Sequence, residues 1–425
     1  MSQAPTVTTA TGRLRGRRQG RVACFHGVPY AAAPTGSLRF APPWPAPAWA
    51  GIRGAVSPGP IAPQPPSRLE RVMGPLRSAA AQGEDCLSLT IWTPGPAGGP
   101  RPVMVWLHGG GFSSGAGSAE WYAGDRIADR GDLVVVNVNY RLGVLGYVYL
   151  AGLADDMGEG NLGLLDMIAA LRWVRENIAA FGGDPDQVTV AGQSGGALST
   201  VAMMANPESS GLFRRVILQS APLELRPDSP EAATEVARLF LRALDLRPAQ
   251  VHRLREIPVG QLLGAQLSVA RATARPLTLA PPFQLVADGR VVCADPAGQV
   301  GAGGATGIEA LIGWNRDEAS AFLIGDEHLA AMTRQDVVDA ARSWLGDVGE
   351  GEHLAGGPVA LACHLVNARL FGTNGQLAAG RAAAGNTVYT YRFDWRPEGS
   401  PFGACHCLEL PFVFGNPSAW RDAPM

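Results

Sequence analysis

The sequence predicts an α/β fold, a mostly parallel twisted sheet flanked by helices on both faces. Three observations carry this. First, apolar runs recur along the chain: "LTIW" (89–92), "VMVWL" (103–107), "LVVVNVNY" (133–140), "VTVAG" (188–192), "VILQS" (216–220), "ALIG" (310–313) and "VYTYRF" (388–393). Several are continuously apolar rather than alternating, as expected of strands buried on both faces of a parallel sheet. Second, "NLGLLDMIAALRWVRENIAAF" (161–181) has apolar residues at helical spacing and stops at Gly182-Gly183, which predicts an amphipathic helix with a glycine end. Third, strand and helix patterns alternate, which builds a doubly wound sheet. The stretches 229–270 and 329–385 read as helical insertions within one domain spanning 1–425. The Pro- and Gly-rich stretches 41–66 and 94–101 read as surface loops.

Composition narrows the function. A chain of 425 residues, 46% hydrophobic, can bury a large core. Its net charge of −2 gives no electrostatic case for nucleic acid or an anionic membrane as partner. Every basic residue is Arg and none is Lys, which removes lysine nucleophiles and Schiff-base chemistry. The N-terminus has no apolar signal region. No stretch of about 18 uncharged apolar residues predicts a membrane span. The cysteines at 24, 86, 293, 363, 405 and 407 are scattered without metal-ligand spacing. They read as free thiols of a cytoplasmic protein, with no metal site and no cofactor.

Two segments match G-x-S-x-G: "GFSSG" (111–115) and "GQSGG" (192–196). A nucleophilic serine of this type needs a strand, a very tight turn and then a helix, with glycines where backbones crowd. Ser194 satisfies this: "VTVAG" precedes it and "GGALSTVAMMA" follows. Ser113 is followed by the Gly-rich, unhelical "SGAGSAEWYAGD". The stretch "HGGGF" (108–112) after the 103–107 strand instead offers bare backbone N–H groups, as an oxyanion site requires.

With those motifs the chain resembles the type B carboxylesterases, the carboxylesterase–cholinesterase family of α/β-hydrolases, closest in flavour to bacterial p-nitrobenzyl-type esterases. The resemblance runs through "FHGVPYAAAPTGSLRFAPPWPAPAW" (25–49), "EDCLSLTIWTP" (84–94), "HGGGF", "NYRLGVLGY" (139–147), "GNLGLLDMIAALRWVRENIAAFGGDPDQVTVAGQSGG" (160–196) and "CHCLELPFVFGN" (405–416). It implies an α/β-hydrolase fold with the insertions over the site, and a cofactor-free serine hydrolase cleaving small, fairly apolar carboxylic esters through an acyl-enzyme. An amidase or carbamate hydrolase with the same triad is the alternative, and a non-catalytic family member a further one.

In that fold the chain order is serine, acid, histidine. His406 follows the last strand, 388–393, and matches the family's H-x-x-E-L-P-F-V-F-G pattern; His328, His353 and His364 read as surface or capping residues. The acid should follow strand 310–313. Asp317 and Glu318 are both available there, and the resemblance assigns Glu318, leaving Asp317 to brace the loop. The oxyanion donors are expected from Gly110, Gly111 and Gly195, with His108 positioning their loop. Cys405 and Cys407, on either side of His406, read as thiols that pack it.

Three departures from the family carry expectations. Gln193 stands where many relatives have Glu, which should shift the acidic limb of the pH–rate profile down. Cys86 matches a cysteine that secreted relatives bond to an upstream partner, but Ala62 stands at the partner's place. Ten residues follow "FVFG", where relatives continue with further helices; the expectation is an incompletely closed sheet with apolar surface left in water and weak activity.

Overall fold

A computed structural model describes residues 4–95, 99–157, 160–347 and 356–425. Twelve strands are described, β1 (Thr6–Thr9), β2 (Gly12–Arg15), β3 (Arg17–Gln19), β4 (Val22–Pro29), β5 (Ile52–Gly54), β6 (Ser88–Thr93), β7 (Arg101–Leu107), β8 (Val134–Val138), β9 (Gly183–Gln193), β10 (Arg215–Gln219), β11 (Glu309–Asn315) and β12 (Val388–Phe393). The main sheet runs β12-β11-β10-β9-β7-β8-β6-β4-β3, and β1, β2 and β5 form a small separate sheet. From β12 to β8 every neighbouring pair is parallel; β8, β6, β4 and β3 pair antiparallel. Each apolar run predicted as a strand lies in the main sheet.

Strand β7 explains why these runs are apolar throughout. Val103, Val105 and Leu107 enter a core with helices Leu162–Asn177 and Gly195–Met204. Met104 and Trp106, pointing the other way, join a second core with Val72, Met73, Trp121 and Phe414. With both faces covered, side-chain alternation leaves no position for a polar residue. Helix Leu162–Asn177 continues into a 3-10 turn, Ile178–Phe181, and ends at Gly182 with φ 83°. A left-handed residue there suits glycine, which has no Cβ to clash.

The stretch 229–270 holds helix Pro230–Ala243, a 3-10 segment Pro248–Arg255 and most of helix Val259–Thr273. Within 329–385 lie helices Arg334–Leu345, Pro358–Val366 and Thr373–Ala383. Residues 41–66 are not wholly a surface loop. They include β5, and Ile61, Ala62 and Gln64 are buried. Gln64 is tied to a glycine loop by Nε2–H to Gly115 O (2.8 Å) and Gly115 N–H to Gln64 Oε1 (2.6 Å). Its polarity satisfies buried backbone rather than solvent.

The six cysteines are free; Cys86 and Ala62 are both buried in the main core. No described helix is long and apolar enough to cross a membrane. At the sheet's β12 edge, Tyr389, Trp395, Phe412 and Val413 are exposed. Phe412 packs its ring on Phe393 and Trp395 at 5.4 and 5.0 Å.

Candidate active site

Ser194 occupies the single residue between β9 and helix Gly195–Met204, with φ 54° and ψ −122°. Such a conformation is costly for a residue with a Cβ and persists only where the surroundings enforce it. Here the glycines enforce it. A Cβ on Gly196 would stand 2.2 Å from the Leu107 carbonyl oxygen, and one on Gly192 would stand 2.6 Å from Gly196 backbone. Strand and helix therefore approach closer than any side chain allows. The Ser194 N–H donates to Gln219 O at 2.9 Å, which fixes the turn against β10.

His406 lines the same cavity as Ser194 and meets Glu318 on its other side. Glu318 lies just past β11, and its Oε1 accepts the Asn315 N–H at 2.6 Å. Its Oε2 is 2.5 Å from His406 Nδ1, and neither side chain has exposed surface. A carboxylate at Nδ1 places the imidazole proton there and leaves the Nε2 lone pair as acceptor. Gln193 uses that lone pair: its Nε2 lies 3.1 Å from His406 Nε2 and donates also to Cys407 Sγ at 3.3 Å. The rings of Phe322 and Phe371 flank the imidazole at 5.1 and 5.2 Å. Phe371 is placed there by a π-turn, Asn367–Phe371, between two helices.

The His406 loop is sewn to the segment after β11. Asp317 exchanges two backbone-level bonds with Ala404: Ala404 N–H to Asp317 Oδ2 at 2.8 Å, and Asp317 N–H to Ala404 O at 2.9 Å. Asn315 Nδ2 donates to Cys405 O (2.6 Å) and to Glu409 Oε2 (2.7 Å). Glu409 is buried, and burial first, then the negative charge of Glu318, raises its carboxyl to about 7. Cys405 and Cys407 are buried; burial pushes the Cys405 thiol up to about 12, so it packs rather than reacts.

The glycine loop faces Ser194. Gly110 and Gly111 have φ 115° and 56°. A Cβ on Gly195 would stand 3.5 Å from the nitrogens of both Gly111 and Phe112, so these backbones gather at one point. Among the described residues no protein group accepts the N–H of Gly110, Gly111 or Gly195, so these donors are free to meet an oxyanion. His108 stacks on Tyr140 (4.3 Å), whose hydroxyl donates to His108 O at 2.7 Å. Burial lowers the His108 pKa to about 4, which keeps it neutral. Ser113 lies in a turn, its hydroxyl donating to Gly111 O at 3.1 Å.

One cavity of about 710 Å³ reaches Ser194, His406 and the glycine loop, with Leu225, Leu279, Phe283 and Leu370 on its walls. Its size and lining suit a small, largely apolar molecule. His328 and His364 are exposed and lie outside this cavity; His353 falls outside the described residues. The described residues contain no cluster able to hold a metal ion. Sequence reasoning missed Asn315, Phe322, Phe371 and Glu409. Glu409 alone left a signal, as an acid inside an apolar run, "LELPFVF".

A model of the carboxylesterase family matches residues 3–347. The chain is 42% identical to the probable N-octanoylanthranilate hydrolase of Rhodococcus erythropolis, over 99% of this chain and 87% of that protein. It is 38% identical to the para-nitrobenzyl esterase of Bacillus subtilis, over 96% and 83%. A solved structure of a PNB esterase superposes with TM-score 0.90 at 36% identity, covering 98% of this chain and 85% of the other.

Proposed function

The chain belongs to the carboxylesterase family of α/β-hydrolases and is a serine carboxylesterase, and on that footing we propose that Ser194, His406 and Glu318 form its catalytic triad and cleave small, fairly apolar esters. The observation that carries this reading is the 2.5 Å Glu318–His406 contact, with His406 and the strained Ser194 lining one cavity. In the first half-reaction Ser194 Oγ attacks the acyl carbon and its proton passes to His406 Nε2. Gln193 must release Nε2 for that transfer. Glu318 stabilises the imidazolium, and the carbonyl oxygen, now negative, takes the N–H groups of Gly110, Gly111 and Gly195. Losing one such donor typically costs about 10²–10³ in turnover. The alkoxide leaves with the proton from His406. Water then repeats the sequence on the acyl-serine and releases the acid.

The domain reading proposed with it is one catalytic domain in which the helices of 229–270 and 329–385 wall the cavity; Gln266 of the first and Phe371 of the second line it. Amide cleavage by the same groups is a second reading, favoured by the relative described as an N-octanoylanthranilate hydrolase. A fluorophosphonate probe followed by peptide mass spectrometry should modify Ser194, and Ser194→Ala should abolish hydrolysis of 4-nitrophenyl butanoate. Label on Ser113 instead, or full activity of Ser194→Ala, would overturn the assignment. Parallel assays of an ester and an anilide with one acyl group separate the two readings.

A further inference from the structure

The apolar cavity contains a cation that the triad chemistry does not use. Arg68 stands in its wall, in the segment just before the short helix Glu70–Met73. Its Nη2 donates to Leu279 O at 2.7 Å. No carboxylate among the described residues lies within ion-pair distance of it. Arg68 keeps substantial exposure where it lines the cavity, and the protein packed on its other side pushes its pKa below the ordinary value. An Arg presents five N–H donors in a planar fork. One bond to a carbonyl leaves most of them, and the whole charge, without a partner. With water on one side and the cavity on the other, those donors are open to an acceptor on a bound molecule.

Its position relative to the reacting atoms is specific. A Cβ on Gly111 would stand 3.8 Å from Arg68 Nη2, so the guanidinium borders the loop that supplies the oxyanion donors. Of the charged residues that line the cavity among those described, Arg68 and Arg271 are cations and Glu70 is an acid. The balance at the wall is positive although the protein as a whole carries −2. A small cavity with a positive wall attracts and orients anions more strongly than the net charge suggests.

We infer that Arg68 is a specificity-determining residue that pairs with a carboxylate on the substrate, a few bonds from the scissile carbonyl, so that the preferred substrates are carboxylate-bearing esters or anilides. A bidentate guanidinium–carboxylate pair has the geometry to fix the substrate's rotation as well as to hold it. The apolar walls take the remainder of the acyl or alcohol group. This rests on the hydrolase reading of the cavity, with Ser194 as nucleophile.

The test compares pairs of substrates that differ in one charge. 2-(Butanoyloxy)benzoate is set against phenyl butanoate for an anion on the alcohol side. The 4-nitrophenyl monoester of adipic acid is set against 4-nitrophenyl hexanoate for one on the acyl side. The readout is the ratio of kcat/KM, charged over neutral, after subtraction of spontaneous hydrolysis. The wild-type ratio should exceed ten for at least one pair. It should fall at least tenfold in Arg68→Gln, as loss of a charged hydrogen bond implies, and be partly kept in Arg68→Lys. A wild-type ratio of one or less for both pairs, or a ratio unchanged in Arg68→Gln, overturns the inference. Binding of benzoate and benzamide to the Ser194→Ala protein by calorimetry separates this from the hydrolase reading. If no ester is cleaved but benzoate binds tighter than benzamide only with Arg68 present, the anion site stands and the esterase reading falls. Equal binding of the two probes removes the anion site.

Discussion

The side-chain nitrogen of Gln193 sits 3.1 Å from His406 Nε2, on the opposite side of the imidazole from Glu318. A neutral amide there donates to the ring; a carboxylate would accept from it and favour the charged imidazolium. Gln193→Glu should therefore move the acidic limb of the kcat/KM profile to higher pH. Profiles of the two proteins measured on one neutral ester check this. Coincident limbs would show that residue 193 does not sense the imidazole's charge.

Adjacent acids at 317 and 318 should behave differently. Glu318→Gln replaces the acceptor at His406 Nδ1 and should cut kcat by about 10³–10⁴. Asp317→Asn leaves that contact alone and weakens the clasp on Ala404. It should cost about 1–3 kcal/mol of stability with a much smaller fall in kcat. Paired kinetics and denaturant titrations settle the ranking, and the reverse order would shift the triad to Asp317.

Glu409 should make stability depend on pH. Its carboxyl is raised to about 7 in the fold, against an ordinary 4.5. As pH rises, the unfolded chain loses this proton first, so unfolding is favoured progressively between about 4.5 and about 7. The contribution is complete below that interval and lost above it. Glu409→Gln has no proton to lose. The stability difference between variant and wild type should grow in the variant's favour across the interval, by about 3 kcal/mol, and then level off. A difference that is flat with pH would refute the buried-acid account.

Glycine should matter only where backbones touch. Gly196→Ala drives a Cβ to 2.2 Å from Leu107 O and should cost about 3 kcal/mol along with activity. Gly264, exposed on helix Val259–Thr273, has nothing within 4 Å of its Cβ position. Gly264→Ala should stabilise by about 0.5–1 kcal/mol. Thermal unfolding of both variants reads the contrast.

The parallel half of the sheet was legible because burial on both faces selects apolar residues, as β8 shows with all five residues buried and Asn137 alone polar. Strands β1, β3 and β5 left no such trace. β3 and β5 are three residues long and largely exposed, and β1 buries only Val7 and Thr9 of its four, too short a stretch to mark a strand. Ser194 could be read from local context, since its turn is made by neighbours in the chain. The contacts around His406 were legible only at Gln193; Phe322 and Phe371 reach it from separate segments that no local pattern connects. Arg68 is one arginine among many until the fold brings it to the cavity wall.

The parts of the site come from strands far apart in the chain. Glu318 precedes His406 by 88 residues, and Gln193, next to Ser194, by 213. Parallel neighbours β9, β10, β11 and β12 must dock in register before these side chains meet. Closing such long loops is slow, because their entropy is lost before the contacts form. Hydrolysis is then a clock for the end of folding. In a refolding experiment, helical circular dichroism should recover ahead of esterase activity, and activity should follow the slowest kinetic phase.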